Sequence, residues 1–264
     1  MGNFIQLVKN ENMKIYRRVR TWVMFGITIG LVLLISILWL SFGGRDFSMW
    51  TVAYTEASVM SLLITIFVVV VAASGVAEEF TSGTIKLLLI RPWSRSKILL
   101  SKYISILLFA LLLAVSLLAS TLLFNWIIFG INADSSLETG FLPMGEGSPF
   151  LFLLKYYGLK LISLIVTVTL AFMLSTVFRS SGLAIGLSLF LLLGVSSIAN
   201  LLALLKYKWV DYLLFIHLNL TQYLDGVQLR EDMTLGFSLG VLAVYYVVFV
   251  ALTWYVFNKR DVAS

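Results

Sequence analysis

The segment EEFTSGTIKLLLIRPWSRSKILLSK, residues 78–102, interrupts two long apolar runs with two adjacent carboxylates, a glycine, a proline and five Lys/Arg. The runs on either side, 57–77 and 98–131, are each long enough to cross the roughly 30 Å hydrocarbon layer of a bilayer, which takes about 20 apolar residues of helix. A charged stretch held between two such runs must lie on one side of a membrane. Its polarity therefore sets both the topology and the face on which a partner docks.

Working outward, four more stretches meet the same requirement, so that the expected spans are 21–42, 57–77, 98–131, 156–178, 183–205 and 235–257. The chain is 60% hydrophobic and 12% charged, with a mean hydropathy of +1.00. Soluble domains average about 45–50% apolar and 25% charged, and a soluble core of this composition would leave large sticky patches exposed. Barrel strands are excluded because the runs are long and do not alternate polar with apolar residues. The expected fold is all-α and polytopic, a single membrane domain over 1–264. The first run has no small-residue cleavage site after it and reads as a retained helix. The third run is about 50 Å long as a helix, too long for an upright span, and is expected to tilt, break or protrude near Lys102.

Basic residues give the orientation. With the N-terminus cytoplasmic, the inner segments carry Lys9, Lys14, Arg17, Arg18, Arg20, Lys86, Arg91, Arg95, Lys97, Lys102, Arg179, Lys259 and Arg260. The outer ones carry only Arg45, Lys155, Lys206, Lys208 and Arg230, with Lys160 near an outer helix end. Both termini are thus expected inside a cell (cytoplasmic or inner) membrane. The net charge of +6 is assigned to anionic headgroups, and no nucleic-acid partner is expected. Before the first span, Phe4, Leu7, Val8 and Ile15 recur at helical spacing beside Lys14, Arg17 and Arg18, which predicts an amphipathic helix in the inner headgroup layer. The segment WVDYLLFIHLNLTQYL, residues 209–224, is apolar and aromatic but broken by Asp211, His217 and Asn219. It reads as an interfacial or re-entrant helix before the last span.

The expected spans hold no Asp, Glu or His in mid-run, which disfavours ion-driven transport. Their polar residues are mostly Ser and Thr, suited to helix packing. Asn125 and Asn200 are the candidates for a permeation path, and Gly182 with Gly186, four apart, offers a close-contact face. Enzymatic chemistry finds little support. There is one histidine and no cysteine, no paired-histidine zinc motif, no nucleophile elbow and no P-loop. No catalytic or metal-binding residue is assigned. A membrane enzyme using outer-face carboxylates such as Asp211 and Asp232, and a non-transporting anchor or sensor subunit, are the competing readings.

Within residues 78–102, Ser82 or Thr84 is placed to cap a short helix with Ile85, Leu88, Leu89 and Trp93 on its apolar side. Pro92 ends that helix by biasing Arg91 out of the helical region, and Ser94 caps the next one. A short rigid helix pinned at both ends transmits motion where a loose loop absorbs it.

The run Glu78-Glu79, Gly83-Thr84-Ile85-Lys86-Leu87-Leu88-Leu89, Arg91-Pro92, Ser94-Arg95, Ile98-Leu99 and Lys102 resembles the signature of ABC-2 type ABC transporter permeases. Six spans, the amphipathic N-terminal helix and the re-entrant-like segment extend the resemblance along the chain. It implies a bacterial exporter with two membrane subunits, identical or paired with a homologue, and two separate ATPase subunits. It implies no cofactor in this chain, ATP and Mg belonging to the ATPase. Gly83, Thr84, Ile85, Lys86, Leu88, Leu89, Arg91, Pro92, Trp93 and Arg95 would then form the coupling helix. Glu78 and Glu79 would fix a cytoplasmic gate by pairing with Arg91, Arg95 or bases of the N-terminal helix. The cargo implied ranges over peptide antibiotics, other drugs, lipid-like molecules and ions. Relatives with a fused ATPase or a large outer domain differ from this chain in both respects.

Overall fold

A computed structural model describes residues 4–43, 47–84, 93–130, 148–202, 207–226 and 233–259. The elements are α1 (Phe4–Tyr16), α2 (Val19–Gly43), α3 (Met49–Thr81), α4 (Arg95–Phe129), α5 (Pro149–Val177), α6 (Ser181–Phe190), a π turn (Leu191–Val195), α7 (Ser196–Leu202), a 3-10 turn (Lys208–Tyr212), α8 (Leu214–His217), α9 (Gln222–Asp225) and α10 (Leu235–Lys259). Six helical stretches among them are long and apolar enough to cross a membrane: Val19–Phe42, Met49–Thr81, Arg95–Phe129, Pro149–Val177, Ser181–Ala199 and Leu235–Lys259. The chain is an all-α, multi-pass membrane protein.

Helices α3 and α5 lie at the centre, and α2, α6 and α10 carry most of their surface outward. Lipid tails are as apolar as leucine, so close packing has to hold such helices together. The stretch from Ala72 to Ala77 supplies small residues, all buried or half-buried, against the larger Phe109 of α4 and Phe172 of α5. At Gly75 a Cβ would stand 2.9 Å from Ile106 Cδ1, the far end of a side chain of α4, so α3 and α4 meet closely here. Among the described residues, a Cβ at Gly186 would meet nothing within 4 Å and one at Gly182 only Ser180 Oγ at 4.0 Å, so neither marks a close contact there.

An elbow links α1 to α2. Thr21 Oγ1 donates to the carbonyl of Ile15 at 2.6 Å, and Trp22 Nε1 to that of Tyr16 at 2.9 Å. These side chains take up carbonyls that the end of a helix leaves unbonded. The amphipathic helix expected before the first span is present, and it buries Leu7 together with Glu11.

Two expectations change, and for the third helix one of its three alternatives, a break, falls away. The second helix begins at Met49 rather than at 57, which brings Glu56 inside it with no exposed surface. A carboxylate therefore does stand within a membrane-spanning helix. Its two hydrogen-bond partners let the helix continue through polar residues that lower the local hydropathy. The third helix runs unbroken for 35 residues. The segment 209–224 is not one helix but a 3-10 turn and two short turns of helix, α8 and α9, packed on α5 and α10. His217 makes the break possible. Its Nε2 lies 2.8 Å from the carbonyl of Asp211 and its Nδ1 2.7 Å from Ser238 Oγ, so a buried ring holds the irregular backbone to α10.

Candidate functional site: a ring of charges at one end of the bundle

The acidic pair ends α3, and the reason lies in local chemistry. Ser82 is the C-cap, and its hydroxyl donates back to the carbonyl of Glu78 at 2.7 Å. Gly83 then takes a positive φ of 71°, the left-handed turn that a residue with a Cβ adopts at a cost. The Thr84 hydroxyl donates to the Glu79 carboxylate. Both hydroxyls expected to start the following helix thus turn back onto the end of α3. From the other side, Ser175 of α5 accepts from the amides of Val76 and Ala77, each at 2.9 Å. Thr81 Oγ1 donates to the carbonyl of Arg179 at 3.1 Å. The base of α3 is fixed on two flanks.

On the third flank stands α1. Lys14 Nζ lies 2.8 Å from Glu11 Oε1 and 3.1 Å from Glu79 Oε1. Lys102 Nζ lies 2.8 Å from Glu11 Oε2 and 2.9 Å from the same Glu79 oxygen. Glu11, Lys14, Glu79 and Lys102 therefore close a ring of alternating charges that ties α1, α3 and α4 together. Glu11 and Lys102 are buried, Glu79 nearly so, and Lys14 is more open.

Each member offsets the burial of the next. Burial pushes the Glu11 carboxyl up, but Lys102 and then Lys14 outweigh it and hold the group below the ordinary carboxylate range. Burial likewise depresses Lys14, and Glu11 and Glu79 reverse this, leaving it above the usual lysine value. A second pair sits nearer the surface: Arg18 Nη1 is 2.5 Å from Glu78 Oε2. Arg20 Nη2 donates to Ser74 Oγ at 3.1 Å and lies 3.8 Å from Glu78. A cavity of about 450 Å3 opens among these residues, bounded by Glu11, Arg18, Arg20, Ser74, Glu78 and Lys102. The arrangement is held by ion pairs that link α1, α3 and α4.

The carboxylates expected to pair with Arg91, Arg95 or bases of the N-terminal helix thus pair with that helix, its elbow and Lys102. Arg95 donates through Nη1 to the carbonyl of Asn258, 3.2 Å away at the end of α10. The first and last helices consequently meet the same end of the bundle. Trp93 packs on Leu7 of α1 and Ile98 of α4, with Lys97 Nζ 5.7 Å from its ring centroid. Ile85, Lys86, Leu88, Leu89, Arg91 and Pro92 lie outside the described residues, as do Asp232 and the side chain of Asn200. Ser94 takes the N-cap position of α4 but makes no side-chain capping bond. Asn125 is buried, and its amide bonds the Glu56 carboxylate. Sequence reasoning missed Glu11, because a lone glutamate on an amphipathic helix looks like its solvent face. Lys102, 91 positions away, is the signal, and only the fold supplies it.

Two proteins of Bacillus subtilis (strain 168) are similar to the chain. One, described as uncharacterized protein YhcI, is 39% identical over 222 residues, covering 83% of this chain and 70% of its own length. The other, described as uncharacterized membrane protein YdbK, is 31% identical over 211 residues, covering 80% and 81%. Residues 31–263 match the family described as protein of unknown function (DUF2705). The chain belongs to that family.

Proposed function

We propose that the chain is the membrane subunit of an ATP-driven exporter of the ABC-2 type, moving its cargo across the cell membrane while a separate ATPase subunit hydrolyses ATP. The observation that carries this reading is the position of the charged ring. It sits where the signature segment 78–102 enters and leaves the bundle, and it joins the helices on both sides of that segment to α1. A push delivered between Gly83 and Arg95 would act directly on Glu79 at one end and Lys102 at the other. The excess of Lys and Arg at this end supports a cytoplasmic position for it and for both termini. In this reading two ATPase subunits seat residues 83–95, a second copy or a homologue completes the pathway, and ATP and Mg stay on the partner. Glu78 and Glu79 act in the gate. No step of ATP hydrolysis falls to this chain.

Co-purification tests the reading. Expressed with its neighbouring genes, the chain should recover a P-loop subunit, and Arg91→Glu with Arg95→Glu should release it and abolish cargo-stimulated ATP turnover. Recovery and turnover unaffected by that double reversal would remove the coupling assignment.

A further inference from the structure

A second polar centre lies toward the opposite end of the bundle, and the exporter reading makes no use of it. Glu56 is fully buried, two turns into α3. Ser36 of α2 donates to its Oε1 at 2.6 Å, and Asn125 Nδ2 of α4 donates to its Oε2 at 2.7 Å. The same Nδ2 also donates to the carbonyl of Thr121 at 2.9 Å, which fixes which way the amide faces. Beside the carboxyl stand the hydroxyls of Thr121 and of Tyr157 from α5. Thr121 Oγ1, Tyr157 Oη and Asn125 Oδ1 are buried, and none has a hydrogen-bond partner in good geometry among the described residues.

Among the described residues no Lys, Arg or His is ion-paired with Glu56. The titratable groups around it are Tyr157 and Tyr156, the latter packed on Ala53 and Ala57, with Lys160 Nζ held 5.5 Å from the Tyr156 ring centroid. Among the described residues, the polar groups that α2 and α4 bring to it are Ser36, Thr121 and Asn125. Two neutral donors do not cancel a charge, and an ionised carboxylate without a counter-ion is expensive in a bilayer. A proton removes the charge. It also creates an O–H that needs an acceptor, and the two unpartnered hydroxyl oxygens supply one. A cavity of about 300 Å3 borders the site. Tyr157 lines it together with Ala57, Ser61, Thr65 and Lys160, so one residue belongs to both the cavity wall and the carboxyl's surroundings.

We propose that Glu56 is a proton-binding site of the membrane domain, loaded from this cavity by way of Tyr157 and Thr121. An O–H bond of hydronium in the cavity breaks and one forms on the Glu56 carboxylate. Each relaying hydroxyl takes up one proton and passes on another, and water remains. The site converts proton activity on the cavity side into a change of charge between α2, α3 and α4.

Infrared difference spectroscopy on the full chain in lipid nanodiscs tests this. A neutral-carboxyl C=O band is expected at mildly acidic pH, shifted by deuterium and lost as pH rises. Glu56→Gln, which keeps an acceptor for Ser36, should lack it. Tyr157→Phe should keep the band and slow its deuterium exchange. If Glu56→Gln does not fold, Glu56→Asp should retain the band at a displaced frequency. Absence of a Glu56-dependent band at every pH overturns the proposal. So does a thermal stabilisation that depends on Glu56 and follows added sodium rather than pH, which would mark an alkali-ion site instead.

Discussion

Lys102 Nζ stands 2.8 Å from Glu11 Oε2, joining the fourth helix to the first across 91 positions of chain. Both side chains are about 6% exposed. The pair exists because Leu7 packs on Ile98 and so brings the two helix faces together one turn away. Removing one partner leaves the other buried without compensation, which costs about 3–5 kcal/mol in comparable pairs. Lys102→Met should therefore destabilise the chain strongly. Glu11→Gln combined with Lys102→Met should recover much of that loss, as read from unfolding midpoints in one detergent. Independent, additive losses would show that the two residues do not act as a unit.

Acid and alkali should open the same ring from opposite sides. The Glu11 carboxyl is held below its ordinary 4.5, so its contribution is complete above that value and is lost as pH falls through the lowered one. Lys14 is held above 10.5, so its contribution is complete below that value and is lost as pH rises through the raised one. The chain has no cysteine, so spin labels on two introduced cysteines, one in α1 and one in α4, report cleanly. Their separation should stay constant through the neutral range and broaden only toward both extremes. A change centred near neutrality would contradict the pairing.

His217 makes a third pH-sensitive point. The Asp211 carbonyl can only accept, so Nε2 carries the hydrogen and Nδ1 accepts from the Ser238 hydroxyl. Ser238 Oγ lies 2.5 Å from Tyr223 Oη, which extends the chain of bonds to α9. Burial lowers the imidazole's affinity for a proton below its ordinary 6.5, and the Asp211 contacts only partly oppose this. The contribution of the neutral ring is thus complete above 6.5 and declines as pH falls from there to the lowered value. The unfolding midpoint in one detergent should follow that decline and should cease to do so in His217→Gln.

Gly75 faces Ile106 Cδ1, the far end of a flexible side chain. Gly75→Ala should consequently be tolerated through a rotamer change at Ile106, at a cost within about 1 kcal/mol. Gly75→Leu overpacks the α3–α4 seam and should cost about 1–3 kcal/mol. Ile106→Ala in the same chain should relieve most of that loss. No relief, by thermal midpoint, would mean that the seam is set elsewhere.

The six spans were legible because about 20 apolar residues leave a backbone no alternative to helix in a bilayer. Their ends were not. Thr51, Tyr54, Thr55 and Glu56 lower the hydropathy of a helix that nonetheless begins at Met49, since Ser36 and Asn125 satisfy the carboxyl from other helices. Hydropathy cannot register partners 20 and 69 positions away. Glu78, Glu79 and Lys102 were legible as a pattern, while the partners of the two carboxylates depended on where α1 lies. The short turns of 209–224 were misread as one helix, because an aromatic segment says where it sits and not how its backbone bonds close.

The ring of Glu11, Lys14, Glu79 and Lys102 carries two positive and two negative charges in alternation. Its field therefore falls away with distance far faster than that of a single ion, and dissolved salt has little to screen. Such a lock is deaf to the ionic strength of its surroundings and to charged molecules passing by. It yields to what touches it: a competing carboxylate or ammonium brought within a few ångströms, or a helix moved by that much.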